Sequence, residues 1–404
     1  RLPHHRHHDI QLELAAGSAA EVATEATDPA IELSQTIDRH ISQRWEAGQV
    51  APSERSYDAE FLRRTYLNVI GRIPSVSEAL DFLQDASPDK RRRLLKSLLE
   101  SPAYIAHFAT VWRTLLIPEA RGNLQARAYV PAFENWLHER LSDNASFDQI
   151  ARELVAGSLQ PPSVGSDMDN LLPTPLAFYQ AKEYKPENLA SGTSRLLLGV
   201  RLECAQCHDH PFAKWERKDF WQFAAFFAGV QQAGMPQGAQ PDPFLNELTI
   251  PDTEQTVKAA FLDKAAPDWS GGRTAREVLA DWLTSPENPY FSRAAVNRLW
   301  AYFMVRGLVD PVDDFDEANP PSHPELLDEL ARQFAEHGFD VKFLIRAIVL
   351  SDTYQLSSRQ THDNQSDPQL FARMLVKGLT PEQLFDSLAQ ATGYYEGVTS
   401  RNQF

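Results

Sequence analysis

Apolar side chains recur along this chain mostly at helical spacing. Leu62, Tyr66, Val69 and Ile70 follow the i, i+4, i+7, i+8 pattern of one helix face. Asp58 stands where a carboxylate favours a helix start, and Gly71 and Pro74 close the segment. The same reading predicts helices over about 76–84, 89–100, 102–116, 131–142, 146–156, 187–202 and 217–229. It predicts further helices over about 273–284, 289–305, 324–337, 340–351 and 381–391.

Two stretches break the pattern. Residues 9–30 are rich in Ala, Glu and Thr without a lasting period, so residues 1–30 read as a tail. From Gln231 to Gly272, Gln, Gly, Pro and Asp crowd together around Met235 and Pro236, as in a linker or long loop with one short helix near Thr256–Leu262. Strand-like alternation is almost absent. The expected fold class is mainly α with little or no sheet: two helical domains, 31–230 and 273–404, joined by a linker over 231–272. No internal repeat is evident.

Composition narrows the function classes. The chain has 404 residues, 43% hydrophobic and 23% charged, as in ordinary globular domains. Its apolar runs are short and broken by charge, so no transmembrane segment is expected. A net charge of −16 argues against a nucleic-acid partner, which needs concentrated Lys and Arg. The one dense basic run, Lys90-Arg91-Arg92-Arg93, precedes Leu94, Leu95, Leu98 and Leu99 and reads as the solvated face of a helix. His4, His5, His7 and His8 form a terminal tract that can bind metal ions, although at a chain end such a tract is more often unstructured.

Both cysteines of the chain lie in Cys204-Ala205-Gln206-Cys207-His208. A C-x-x-C-H run suits covalent attachment of a c-type haem: the two-residue gap lets both sulfurs reach one porphyrin edge, and the next His lies under the iron as axial ligand. No spare cysteines are present to generate the match by chance. An aromatic-dense segment follows, with Phe220, Trp221, Phe223, Phe226 and Phe227, which suits either a haem wall or plain core packing. Three other readings of the pair stay open: a disulfide, a zinc site with His208 and His210, or idle thiols.

The run Cys204–Trp215 (CAQCHDHPFAKW), with Phe223–Gly229 (FAAFFAG), resembles the planctomycete cytochrome-c-like domain of unknown function. Asp58–Pro74 (DAEFLRRTYLNVIGRIP) resembles the start of that domain. Downstream, Asn288–Trp300 (NPYFSRAAVNRLW) resembles the opening of its usual partner, a second domain of unknown function. Arg306–Asp310, Pro321–Leu327 and Ser351–Tyr354 resemble it too. The resemblance covers about residues 35–391. It implies an exported protein, at the periplasm or cell surface, with haem at Cys204, Cys207 and His208, from bacteria that degrade polysaccharides. Two departures stand out: Asn68 replaces the Asp usual in relatives, and the second domain reads as cut short at Phe404.

Other residues have weaker claims. The acidic loop Asp310, Asp313, Asp314, Asp316 and Glu317 offers carboxylates for calcium or acid–base chemistry, but lacks the alternating ligand spacing of an EF-hand loop. Ser322 and Glu325 have the spacing of a capping box, which leaves His323 unexplained and makes it a candidate second axial ligand to the iron. Met235 is the other candidate. His210 lies too near His208 to reach the opposite haem face. Three function classes follow: electron transfer with a redox partner protein, a haem-dependent or carbohydrate-active enzyme, and a scaffold whose C-x-x-C is a disulfide.

Overall fold

Helix α1 (Pro29–Gly48) opens the fold, started by the Asp28 side chain, which accepts from the Ala30 amide. Its Leu33, Ile37 and Ile41 recur every four residues and are buried, although no helix was expected this early in the chain. The computed structural model describes residues 28–159, 172–211, 213–234 and 242–394. Then follow α2 (Asp58–Ile70), α3 (Val76–Gln84), α4 (Lys90–Leu99) and α5 (Pro102–Leu116), within a residue or so of expectation. Their starts are marked chemically: Ser75 and Glu78 form a reciprocal capping box, and Ser101 caps α5 ahead of Pro102.

Helix α6 (Leu124–Ser142) begins earlier than expected, capped by Asn123, and carries Pro131 inside it. Next come α7 (Phe147–Ala156), α8 (Leu176–Ala181), α9 (Pro186–Thr193) and α10 (Arg217–Ala224). The later part holds α11 (Ala275–Leu283), α12 (Phe291–Met304), α13 (Pro324–Glu336), α14 (Val341–Leu350) and α15 (Pro381–Thr392). No helix among the described residues is long and apolar enough to cross a membrane.

The helix expected near Thr256–Leu262 is instead half of a hairpin. Strands β1 (Glu247–Thr249) and β2 (Thr256–Lys258) pair antiparallel, with Leu248 opposite Val257. Val257 is buried between exposed Thr256 and Lys258, the two-residue alternation of a half-buried strand. Ile250, Phe261 and Leu262 are also buried, so this part of the expected linker belongs to the core.

One hydrophobic core runs through both halves. Helix α1 packs along α14 and α13. Phe147 stacks on Phe291 at 5.2 Å, and Phe108 on Phe303 at 6.5 Å. The Phe147 amide donates to the Phe339 carbonyl at 3.0 Å, and the Ser53 amide to the Ala372 carbonyl at 2.8 Å. Each fully buried Leu, Ile or Phe contributes on the order of 2 kcal/mol, so α1 alone ties the beginning of the chain firmly to its later part.

Candidate haem-attachment site

The chain enters the C-x-x-C-H turn from α9, which loosens into a wider turn over Ser194–Leu198 and stops at Gly199. Gly199 has φ +68°, and a Cβ there would lie 2.5 Å from Cδ2 of Phe315, so only glycine fits. The Phe315 amide donates to the Gly199 carbonyl at 2.9 Å, fixing the turn. A short 3-10 turn, Glu203–Gln206, carries the motif. Its Ala205 is fully buried and anchors the turn, while Cys204 and Cys207 are exposed with free thiols. The Gln206 carbonyl accepts from the Trp221 indole at 3.0 Å and holds the turn against α10.

His208 is exposed, and its Nδ1 lies 2.7 Å from the Asp209 carbonyl oxygen. A carbonyl can only accept, so Nδ1 carries a proton, and in the neutral ring Nε2 then presents a lone pair. Asp209 is itself held by the Arg217 amide, which donates to its carboxylate at 2.8 Å. His210 points its chemistry inward: its Nδ1 accepts from the Ala213 amide at 2.8 Å.

The rings after the motif are core. Phe220, Trp221, Phe223, Phe226 and Phe227 are all buried. Phe226 stacks on Phe261 at 5.1 Å, Phe261 on Trp282 at 4.8 Å, and Phe223 meets Trp282 edge-on at 6.5 Å. These contacts, with the hairpin, bury the rings in the core.

The acidic loop has separate duties for its carboxylates. Asp313 is buried and grips Arg195 through Nε, and it accepts from Arg201 at 2.7 Å and 3.1 Å. Burial alone would raise its carboxyl, but hydrogen bonds and charge from the two guanidinium groups hold it below the usual range. Asp310 pairs with Arg306 at 3.3 Å, and Asp316 accepts from the Ala318 amide at 2.8 Å. Among the described residues, no three His, Cys, Asp or Glu side chains are placed to hold a metal ion, whether in this loop or around Cys204.

Two family models match. The first, PSCyt2, described as a protein of unknown function (DUF1549), covers residues 36–232. The second, PSD1, a protein of unknown function (DUF1553), covers residues 275–402. The chain belongs to this DUF1549–DUF1553 family pair. Neither a curated protein nor a solved structure matches it.

The family boundary gives the clamp a meaning. In this DUF1549–DUF1553 protein the C-x-x-C-H run lies in the first matched segment, and Asp313 and Phe315 lie in the second. The second segment therefore positions the turn that leads into the motif. Nothing in the spacing of Arg195, Arg201 and Asp313 announced this, because the partners are more than a hundred residues apart.

His323 is placed differently from its expectation. The first helical residue of α13 is Pro324, so His323 itself is the N-cap and the Ser322–Glu325 capping box does not form. Ser322 Oγ bonds His323 Nδ1 at 3.1 Å instead. The ring is 3% exposed, packs on Phe371 at 5.7 Å, and has a buried Nε2 without a hydrogen-bond partner among the described residues. Burial, then the charges of Arg44 and His40, push it down to about 4. Its contacts are not shared with the motif. Met235 and the four terminal histidines, His4, His5, His7 and His8, lie outside the described residues.

The basic run is only half solvated. Arg91 donates to Asp58 and to the Ser56 carbonyl at 2.7 Å, and Lys90 pairs with Asp58 at 2.6 Å, while Arg92 and Arg93 face water. Sequence reading also missed a polar network across the two segments. His107 Nε2 and Tyr302 Oη are 2.7 Å apart, and Tyr302 Oη donates to the Asn68 carbonyl at 2.9 Å. Asn68 Nδ2 donates to Tyr354 Oη at 3.0 Å, a bond in which an Asp could only accept.

As a donor set for haem c the motif residues fit. Cys204 and Cys207 are free and reachable, and His208 has a bare Nε2.

Proposed function

We propose that this is an exported haem c protein, working at the periplasm or cell surface, in which Cys204, Cys207 and His208 hold the cofactor and the function is electron transfer. The observation that carries the reading is the pairing of two exposed free thiols with a His208 whose Nδ1 is committed to the Asp209 carbonyl. Attachment forms two thioethers: each thiol adds its sulfur and its hydrogen across a vinyl double bond, with no leaving group and no oxidant. The bound group would supply one-electron chemistry.

The rest falls to the chain. Ala205 and the Gln206–Trp221 bond keep both cysteines on one short turn. Asp209 holds the His208 tautomer that leaves Nε2 for iron. The turn stands at the surface, which suits electron exchange with a redox partner protein better than chemistry in a sealed chamber. His323 is a poor second axial ligand in this arrangement, because its ring would have to leave the core beside Phe371.

The test is expression with export and the cytochrome c maturation machinery. The purified protein should show a Soret band that survives denaturation with the polypeptide. Cys204→Ala with Cys207→Ala should abolish covalent colour, and His208→Ala should keep attachment but alter the ferric spectrum. A colourless wild type whose mass is short by two hydrogens would replace this reading with a disulfide.

A further inference from the structure

A second site lies away from the motif, where α2, the end of α12 and the segment 374–383 meet. A cavity of about 180 Å³ there is floored by Leu67, Phe303 and Met374 and walled by Arg63, Arg64 and Lys377. Its one acid, Glu60, is already engaged: Arg64 Nη2 at 2.6 Å, Ser357 Oγ at 3.0 Å and the Ser358 amide at 2.8 Å all donate to it. The amides are engaged too, with Asn68 donating to Tyr354 and Gln383 donating to the Leu67 carbonyl at 2.8 Å.

Two cations remain. Arg63 is exposed and makes no ion pair or side-chain hydrogen bond among the described residues. Lys377 donates to the Tyr302 carbonyl at 3.0 Å and sits 4.0 Å from the centre of its ring, with no carboxylate partner among the described residues. Burial pushes its ammonium down to about 8. The cavity thus carries uncompensated positive charge over an apolar floor, in a chain whose net charge is −16.

We propose that this cavity binds a small organic carboxylate of about the size of benzoate, its acid group between Lys377 and Arg63 and its apolar body on Leu67, Phe303 and Met374. The size follows from the volume, since an apolar cavity of about 150 Å³ accommodates benzene. The charge follows from the two cations, each able to form a hydrogen-bonded ion pair with a carboxylate that a neutral ligand cannot form. None of the motif residues lines the cavity, so the site stands whether or not haem is attached.

Titration calorimetry of the full chain with benzoate, and with benzamide as the neutral isostere, tests it. Benzoate should bind saturably and at least about tenfold more tightly than benzamide. Lys377→Met and Arg63→Gln should each weaken benzoate about tenfold. Arg63 is exposed, so Arg63→Gln should keep the wild-type unfolding midpoint and remains informative if Lys377→Met folds poorly. Absence of saturable benzoate binding, equal binding of benzamide, or an Arg63→Gln variant with wild-type affinity would each overturn the proposal.

Discussion

Replacing Asp313 with Ala removes the carboxylate that joins the second family segment to the approach of the motif. The side chain is 9% exposed, whereas Arg195 and Arg201 are 52% and 37% exposed. A buried charged hydrogen-bond partner is worth about 1.5–3 kcal/mol per bond. Both guanidinium groups can recover water once the acid is gone, so the loss falls well short of that sum. We expect about 2–3 kcal/mol in urea unfolding, and a smaller loss, about 1–2 kcal/mol, for Asp313→Asn. The carboxyl is held below its unfolded value, so its contribution is present above an unfolded pKa of about 3.9 and is lost as pH falls through the depressed folded value. The gap between wild type and Asp313→Ala should therefore close in strong acid. Hydrogen exchange adds the local reading: amides of residues 194–201 should exchange faster in the variant, while those of α14 keep their relative protection. Equal urea midpoints, with unchanged exchange over 194–201, would refute the clamp.

Two further outcomes follow from the buried groups and the shared core. His107 and His323 are both pushed down to about 4, chiefly by burial. The unfolded chain takes up protons first, so the stability each contributes is complete above the unfolded pKa and falls as pH drops from about 6.5 towards 4. The loss is about 2 kcal/mol each by pH 5, and His323→Gln should flatten that slope in urea titrations at successive pH values. A fragment of residues 28–234 should not fold as a monomer with native near-ultraviolet dichroism, because Leu33, Ile37 and Ile41 lose α14 and Phe147 loses Phe291. A soluble, cooperative monomer would show that the first segment has a core of its own.

Legibility in the sequence followed the range of the interactions. Helices α2 to α5 were readable because their signals are local: Ser75 with Glu78, Ser101 with Pro102, Gly71 at the end of α2. Local signals also misled. The helix expected over 131–142 opens on Pro131, yet that proline lies inside α6, which starts at Leu124 and is capped by Asn123. Thr256–Leu262 is too short to separate a helix from a strand, and pairing with Glu247–Thr249 decided it. Pro324 set the start of α13 and moved the cap from Ser322 to His323. The C-x-x-C-H run was visible because its five residues are consecutive, whereas the contacts of Phe315 and Trp221 that hold its turn come from elsewhere in the chain. The Asp313 clamp and the Lys377 cavity were not, because each needs the tertiary fold to bring distant charges together.

The central claim rests on what Cys204 and Cys207 hold, and the most direct measurement is the intact mass of protein produced with export and cytochrome c maturation, after denaturation, compared with the Cys204→Ala and Cys207→Ala double variant. The account predicts a wild-type chain heavier by one haem, with the added mass mapping to the peptide that contains Cys204–His208 and absent from the variant. A wild-type mass equal to that of the bare polypeptide, or short by two hydrogens, would contradict it.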